Sequence, residues 1–292
     1  MYEGELKQSS YPNCIKYHEL DVALGCNVKC IYCGLAANKT KVEKVCIDNL
    51  LTELPKEVKG IYLSPNTDAF SKITAESTHK VLEYYLPKGV NFLIITKNII
   101  PTKTIELLSK YPDQITIKIS LARLNQCLID YIEPGSASAI DRLKTMKALV
   151  VAGLKVQALL MPMYPSVDDG EKELRELVEK IRETGVKLVK SAYVIIRNGT
   201  KEKDIEMIKK MKNHPALEHS WELMSETLTP QIGSGQIYPF NKRIEYYTML
   251  GQICRENGMF FSACTVLDPA LKKVKSSDFL ICNDLKFMPN LL

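Results

Sequence analysis

The stretch that decides the fold is GCNVKCIYCG at residues 25–34, which carries Cys26, Cys30 and Cys33 in a C-x3-C-x2-C spacing. It comes directly after a predicted strand that begins at His18. Three thiolates so close together can surround a compact polynuclear centre. A cubane iron–sulfur cluster held by three cysteines leaves one iron open to a substrate or cofactor.

Spacing alone also leaves open a zinc site or simple burial of the three cysteines. A zinc site would take a fourth ligand, usually from a second C-x2-C or a histidine pair, and the neighbouring sequence has neither. Cysteine is also often buried as a small apolar residue. The spacing favours a cluster over both.

Outward from this loop, short apolar runs alternate with helical periodicity over about 195 residues. Each predicted strand is too apolar for an exposed sheet, which indicates a parallel sheet covered by helices. The pattern fits a doubly wound sheet or a partial (β/α) barrel, and in both the chemistry gathers where the strands end. The predicted strands are 18–25, 60–64, 92–96, 114–120, 155–161 and 187–196, and the helices are 45–58, 74–86, 102–111, 138–152, 168–184 and 204–212. Beyond residue 213 the rhythm breaks, leaving a helix at 241–256 and a strand at 259–263.

Composition excludes several classes of protein. The 292 residues are 46% hydrophobic and 25% charged, which argues against disorder as the dominant state. The most apolar runs are far shorter than the roughly 20 residues of a membrane span, and the first residues lack a signal peptide's pattern, so we expect a cytoplasmic protein without membrane association. The net charge of +5 permits nucleic-acid contact without requiring it.

The loop and several later motifs resemble the radical S-adenosylmethionine (SAM) superfamily, and within it the spore photoproduct lyase-like group. After the second predicted strand, LSPNTDAF at 63–70 is similar to that group's T-D-P-Y loop, and the third strand ends in a T-K element at 96–97. Ser120 ends the fourth strand, and IEPGSA at 132–137 followed by Arg142-Leu143 resembles an E-P-x-A…R-L run. The resemblance implies a partial (β/α)6 TIM-like barrel over residues 1–213. A segment at 214–292 would close the barrel and could contain a substrate or auxiliary-cluster region.

The resemblance also implies the cofactors. A [4Fe–4S] cluster on Cys26, Cys30 and Cys33 would bind SAM and cleave it reductively to a 5′-deoxyadenosyl radical, which abstracts hydrogen from a substrate. A flavodoxin or ferredoxin would deliver the electron. The implied SAM contacts are Lys97 to the carboxylate, Ser120 to the ribose, Tyr32 to the adenine, and the loop from Ser64 to Asp68 to the methionyl group.

The substrate of the lyase itself is not expected here. The lyase has a hydrogen-donating cysteine where this chain has Pro65, and a tyrosine where this chain has Gly34. We expect a small-molecule or peptide substrate. The alternatives are the same radical chemistry on a nucleic acid, or an iron–sulfur or zinc binding module without turnover.

Six cysteines lie outside the loop. Cys14 has no clear partner, and we expect Cys46 and Cys127 to be buried in helices. Cys254, Cys264 and Cys282 could be buried, could ligate an auxiliary cluster, or could supply a catalytic thiol. Cys264 is the best candidate for that thiol because it follows an apolar strand.

Overall fold

The computed structural model describes residues 7–8, 17–33, 42–44, 46–47, 51, 58–197, 202–227, 229–231, 235–265 and 267–282. Contacts divide them into two compact units. Unit 1 takes its described residues from 1–120 and 126–157, and unit 2 takes them from 121–125 and 158–284. None of the described helices is both long enough and apolar enough to cross a bilayer.

Unit 1 is built on a largely parallel sheet. Its strands are β1 (Lys7–Gln8), β2 (His18–Leu20), β3 (Ala23–Leu24), β4 (Glu43–Lys44), β5 (Gly60–Leu63), β6 (Asn91–Thr96) and β7 (Ile115–Ser120). The sheet order is β1–β2–β5–β6–β7, with only β1 antiparallel to its neighbour. Every residue of β7 is buried, as expected of a strand covered on both faces.

The helices that the structure describes alongside these strands are α1 (Ala75–Tyr85), α2 (Thr102–Leu108), α3 (Gln126–Ile132) and α4 (Ala139–Val151). Helix α1 buries Val81, Leu82 and Tyr85. Helix α4 begins at Ser138, whose hydroxyl accepts a hydrogen bond from the amide of Asp141, a typical N-cap. After α4, Gly153 takes a left-handed conformation (φ 79°), which glycine adopts without steric cost.

Among the described residues of unit 2, four strands are neighbours in one sheet. Strands β8 (Val156–Met163, its first two residues in unit 1), β9 (Leu188–Tyr193), β13 (Phe260–Cys264) and β14 (Leu280–Cys282) follow the order β8–β9–β13–β14. Strands β10 (Ile195–Arg197), β11 (Thr229–Gln231) and β12 (Gly235–Ile237) form a separate antiparallel sheet. The helices are α5 (Glu171–Glu183), α6 (Glu202–Lys212), α7 (Pro215–Thr227) and α8 (Phe240–Glu256), and a 3-10 turn lies at Pro269–Lys273. Two further 3-10 turns, Leu86–Lys88 and Pro112–Gln114, belong to unit 1.

Most predicted elements are confirmed, and the differences have physical causes. The first strand stops at Leu20, because Asp21 turns away to bind Asn66 and the next residues pair with β4. The strand predicted at 187–196 divides after Tyr193, where β10 pairs with β12. Most of the helix predicted at 45–58 lies outside the described residues.

The C-terminal segment contributes strands to the sheet of unit 2. Strand β13 pairs in parallel with β9, and β14 pairs in parallel with β13, so the segment extends the sheet of unit 2 by two strands. This pairing also explains why the contacts do not divide the chain at residue 213. The roles assigned to 1–213 and 214–292 stay predictions.

Candidate functional site

The three-cysteine loop lies in unit 1, after the carboxyl end of β2. Two residues with positive φ, Gly25 (77°) and Lys29 (55°), give it its tight course. The amide of Cys33 donates to the carbonyl of Cys30 at 3.1 Å, so the second and third cysteines share one turn. Cys33 also lies within electrostatic range of both Cys26 and Cys30.

Burial disfavours the thiolate form of two of these cysteines. It raises the pKa of Cys26. The backbone N–H groups of Val28 and Asp68 donate to the sulfur and lower this pKa, but burial has the larger effect. It raises the pKa of Cys30 to about 12, although the nearby Lys97 acts in the opposite direction. A bound metal centre would supply the positive charge that a buried thiolate needs.

The donor set fits an iron–sulfur cluster. Three thiols with no imidazole in their loop form a soft ligand set, which such clusters take. Across the described ranges, no three His, Cys, Asp or Glu side chains form a group that could hold a single metal ion. Thiolates of a cluster bind different irons, so they do not need to meet at one point.

The loop after β5 offers unsatisfied polar groups next to these cysteines. Ser64 has a positive φ (57°) and is 2% exposed. Its hydroxyl and that of Thr67 are buried and have no hydrogen-bond partner among the residues that the structure describes. A buried hydroxyl without a partner costs about 1–3 kcal/mol, so a polar ligand at this position would stabilise the loop. The contact of Ser64 with SAM stays a prediction.

The carboxylate of Asp68 is occupied by protein groups. It accepts from the amide of Phe70 at 2.9 Å, the hydroxyl of Thr96 at 2.7 Å and the amide of Lys97 at 2.8 Å. These bonds tie the loop after β5 to the end of β6. Asp68 therefore positions Lys97 and, through its own N–H, Cys26; its contact with SAM stays a prediction.

Lys97 lies close to Tyr32, Cys30 and Glu133. Its ammonium lies 5.8 Å from the centre of the Tyr32 ring. Burial lowers its pKa, but the nearby Cys30, Glu133 and Asp68 outweigh that effect, so the pKa is raised and the side chain stays charged.

Glu133 and Arg142, to which the sequence motifs assigned no role, connect these positions. The Tyr32 hydroxyl donates to Glu133 at 2.5 Å, and the other oxygen of Glu133 pairs with Arg142 at 2.7 Å. Arg142 also donates to the carbonyl of Ser120 at 2.9 Å, so the chain of contacts reaches the strand end predicted to bind ribose. The E-P-x-A…R-L run was the signal that could have identified Glu133 and Arg142.

The same segment supports the cysteine loop through its main chain. The amide of Ile31 donates to the carbonyl of Ile132 at 2.9 Å, and the amide of Gly135 donates to the carbonyl of Val28 at 2.9 Å. A Cβ at Gly135 would lie 2.3 Å from the carbonyl oxygen of Asn27. Glycine is required by this close approach.

A cavity of about 510 Å³ lies beside this contact. Its walls include Asn27, Phe70, Asn98 and Gly135. None of the predicted SAM contacts lines it, so it is separate from the group around Lys97.

The remaining cysteines lie outside the three-cysteine loop. Cys264 ends β13 and is 6% exposed, and its backbone lies in register with that of Cys282. Burial in α8 raises the pKa of Cys254 to about 12. Cys127 is exposed, so its predicted burial is wrong: it lies on the open side of the short helix α3, and Cys46 is half-buried. Cys14 lies outside the described residues, and a catalytic role for Cys264 stays a prediction.

Comparison with known proteins identifies the fold. No family model matches the chain. A spore photoproduct lyase variant with bound AdoMet and dinucleoside spore photoproduct superposes with a TM-score of 0.67 at 16% identity, over 88% of this chain and 78% of that chain. The chain has the fold of the radical SAM enzymes. Streptococcus suis SuiB bound to S-adenosylmethionine superposes with a TM-score of 0.55 at 15% identity, over 90% of this chain and 57% of that chain.

Curated relatives match over shorter segments. An uncharacterised protein of Acidianus two-tailed virus, ORF301, is 31% identical over 146 residues, which are 48% of each chain. The antilisterial bacteriocin subtilosin biosynthesis protein AlbA of Bacillus subtilis is 22% identical over 163 residues, 56% of this chain and 36% of its own. The match therefore spans half or less of these relatives. The predicted α/β partial-barrel class and the resemblance to radical SAM enzymes of the spore photoproduct lyase-like group are confirmed.

Proposed function

We propose that this protein is a radical SAM enzyme whose cluster ligands are Cys26, Cys30 and Cys33. The observation that carries the proposal is the position of the three-cysteine loop, which follows the carboxyl end of β2 and has Lys97 near Cys30. Ser64, whose amide donates to the carbonyl of Leu20 at that strand end, has a buried hydroxyl without a partner among the described residues. When bound, a [4Fe–4S] cluster supplies the electron that cleaves SAM reductively to methionine and a 5′-deoxyadenosyl radical, which abstracts a substrate hydrogen.

The chain's own residues then have distinct tasks. Lys97 pairs its ammonium with the carboxylate of SAM, since a charged donor facing an anion makes a strong hydrogen bond. Ser64 offers its hydroxyl to the methionyl group, and Ser120 offers its hydroxyl to the ribose. Tyr32 borders the adenine. Because Ser64 and Ser120 are almost completely buried, water is largely excluded at these positions.

The test compares anaerobically reconstituted wild type with a Cys26→Ala/Cys30→Ala/Cys33→Ala variant. Both are reduced with dithionite, and iron, sulfide and released 5′-deoxyadenosine are measured in the same samples. A Cys46→Ala/Cys127→Ala variant is the matched control, because it removes thiols outside the loop. We expect wild type and control to load iron and release 5′-deoxyadenosine, and the triple variant to do neither.

Two further outcomes would each point elsewhere. Wild type that binds iron or zinc but leaves SAM intact with several reductants would contradict the proposal and support a binding module without turnover. Iron retained by the triple variant would indicate an auxiliary centre, for which Cys254, Cys264 and Cys282 are the candidates.

For the electron donor and the substrate, we propose a flavodoxin or ferredoxin and a small molecule or peptide. Pro65 at the position of the lyase's donor cysteine, and a net charge of only +5, support a substrate other than DNA. The nucleic-acid alternative predicts binding that weakens steeply with salt, because phosphate contacts release counterions. Fluorescence anisotropy with DNA and RNA oligonucleotides over a range of salt concentrations distinguishes the two substrate classes.

A further inference from the structure

The buried ion pair between Arg142 and Glu133 lies near Cys30, and the proposed function does not use it. The side chains of Arg142 and Glu133 are 1% and 2% exposed. Besides Glu133, Arg142 donates to the carbonyls of Ala137 and Ser120, each at 2.9 Å, and to the hydroxyl of Ser136. The guanidinium is therefore held firmly, and it fixes the carboxylate of Glu133 in turn.

The carboxylate of Glu133 and the sulfur of Cys30 compete for the hydroxyl proton of Tyr32. Tyr32 donates its only hydroxyl proton to Glu133 at 2.5 Å, and the Cys30 sulfur lies close enough to the same hydroxyl for each group to influence the pKa of the other. A cluster-bound Cys30 is a thiolate and carries no proton. The phenol then has two anionic acceptors, the carboxylate and the sulfur, and it can donate to only one of them.

We propose that Glu133, anchored by Arg142, withholds the Tyr32 hydroxyl from the Cys30 sulfur and thereby keeps the reduction potential of the cluster low. The inference rests on the proposed function, because it requires a cluster on Cys30. Hydrogen bonds to cluster sulfurs and the net charge around them are two of the factors that determine the reduction potential of a cluster. A donor on the sulfur stabilises the extra electron of the reduced state, and a nearby carboxylate opposes it.

The direction of the effect follows from Glu133→Gln. The amide oxygen of the variant can still accept from Arg142, which places its NH2 group against the oxygen of Tyr32. The phenol proton is then free to bind the sulfur, and one negative charge is gone. Both changes favour the reduced cluster, so the potential rises. We expect the reduction equilibrium to shift at least about tenfold, which is about 59 mV for a one-electron couple.

The contribution of the Tyr32 hydroxyl to this shift in reduction potential is measured by adding Tyr32→Phe. In wild type this substitution removes a hydroxyl that is engaged elsewhere, so we expect less than about a threefold shift. In the Glu133→Gln background it removes the donor on the sulfur, so we expect it to reverse part of the rise. Such dependence between neighbouring substitutions is what a double-mutant cycle measures. Asp130→Asn is the control, because it removes the same charge from an exposed position of α3, where water screens it.

The experiment is an anaerobic redox titration of the reconstituted proteins, followed by electron paramagnetic resonance, with thermal unfolding as a check on folding. A rise in Glu133→Gln that Tyr32→Phe partly reverses supports the inference. If wild type has a redox-active cluster but the potential in Glu133→Gln is unchanged or lower, the inference is overturned and the proposed function stands. If Glu133→Gln does not hold a cluster, Tyr32→Phe alone decides: a tenfold or greater fall would show that the phenol already serves the sulfur, and would overturn the inference. Wild type without a redox-active cluster refutes the proposed function, and the inference with it.

Discussion

Gly135→Ala perturbs the support of the three-cysteine loop without touching a cysteine. The added Cβ would lie 2.3 Å from the carbonyl oxygen of Asn27 and 2.7 Å from the Cα of Val28. Both atoms belong to the backbone of the loop, so no side-chain rotation can relieve the contact. The loop itself has to move away from residue 135.

The cost can be bounded from two contributions. Forcing a methyl group into a filled space costs about 1–3 kcal/mol. Movement of the loop also weakens the 2.9 Å hydrogen bond from the amide of Gly135 to the carbonyl of Val28, a net contribution of about 0.5–1.5 kcal/mol. We expect the loop to open more easily by at least about 1.4 kcal/mol, which is a tenfold change in an opening equilibrium.

Hydrogen exchange measures this opening directly, because the amide of Ile31 is bonded to the carbonyl of Ile132 across the same junction. We expect the Ile31 amide to exchange at least about tenfold faster in Gly135→Ala, and the reconstituted variant to bind less iron. Gly170→Ala is the matched control. There the new Cβ meets the flexible carboxylate of Glu173 at 2.4 Å, which can move aside, and the loss of a glycine N-cap costs below about 1 kcal/mol. Unchanged exchange at Ile31 in Gly135→Ala would refute the claim that this segment supports the loop.

Two further predictions concern charge. Lys97→Met should weaken equilibrium binding of SAM to the cluster-loaded protein by about tenfold or more, since it removes a charge-assisted hydrogen bond. Lys72→Met, at an exposed position, is the control and should leave the affinity for SAM unchanged. Equal affinities of the two variants would contradict the role of Lys97. Burial raises the pKa of Asp169 above its ordinary value of 3.8, although Tyr193 donates to it. Folding therefore favours the protonated acid, and the stability that this contributes is lost as pH rises through the raised pKa. The unfolding free energy of wild type relative to Asp169→Asn should fall over that range in urea titrations, and a difference that grows with pH would contradict this assignment.

The sequence predicted most of unit 1 because its signals are local. Strand β6 is almost entirely apolar, β7 alternates isoleucine with polar residues, and the helices between the strands carry periodic apolar faces, so neighbouring residues alone identify them. The predictions failed where a partner distant in sequence intervened. The first strand ends early because Asp21 binds Asn66, and the strand predicted at 187–196 divides because β10 pairs with β12.

The candidate site divides in the same way. Lys97 and Ser120 could be identified as strand-end residues that match motif positions, and the structure places Lys97 close to Cys30. The unpartnered hydroxyl of Ser64 could not be predicted, since it depends on how the loop after β5 is anchored elsewhere. Likewise, the exposure of Cys127 could not be predicted from its residue type, because it depends on which side of α3 packs against the rest of the protein.

What the sequence by itself determined is the donor set, because three thiols spaced C-x3-C-x2-C remain near one another in any compact conformation. It also determined the parallel α/β class, through the apolarity of its strands. Only the tertiary structure decided what surrounds the thiols. Tyr32 and Glu133 are 101 positions apart in the chain, and no local pattern requires them to meet. Their contact, and that of Arg142 with Ser120, exists because separate strand–helix units bring their loops to the same edge of the sheet.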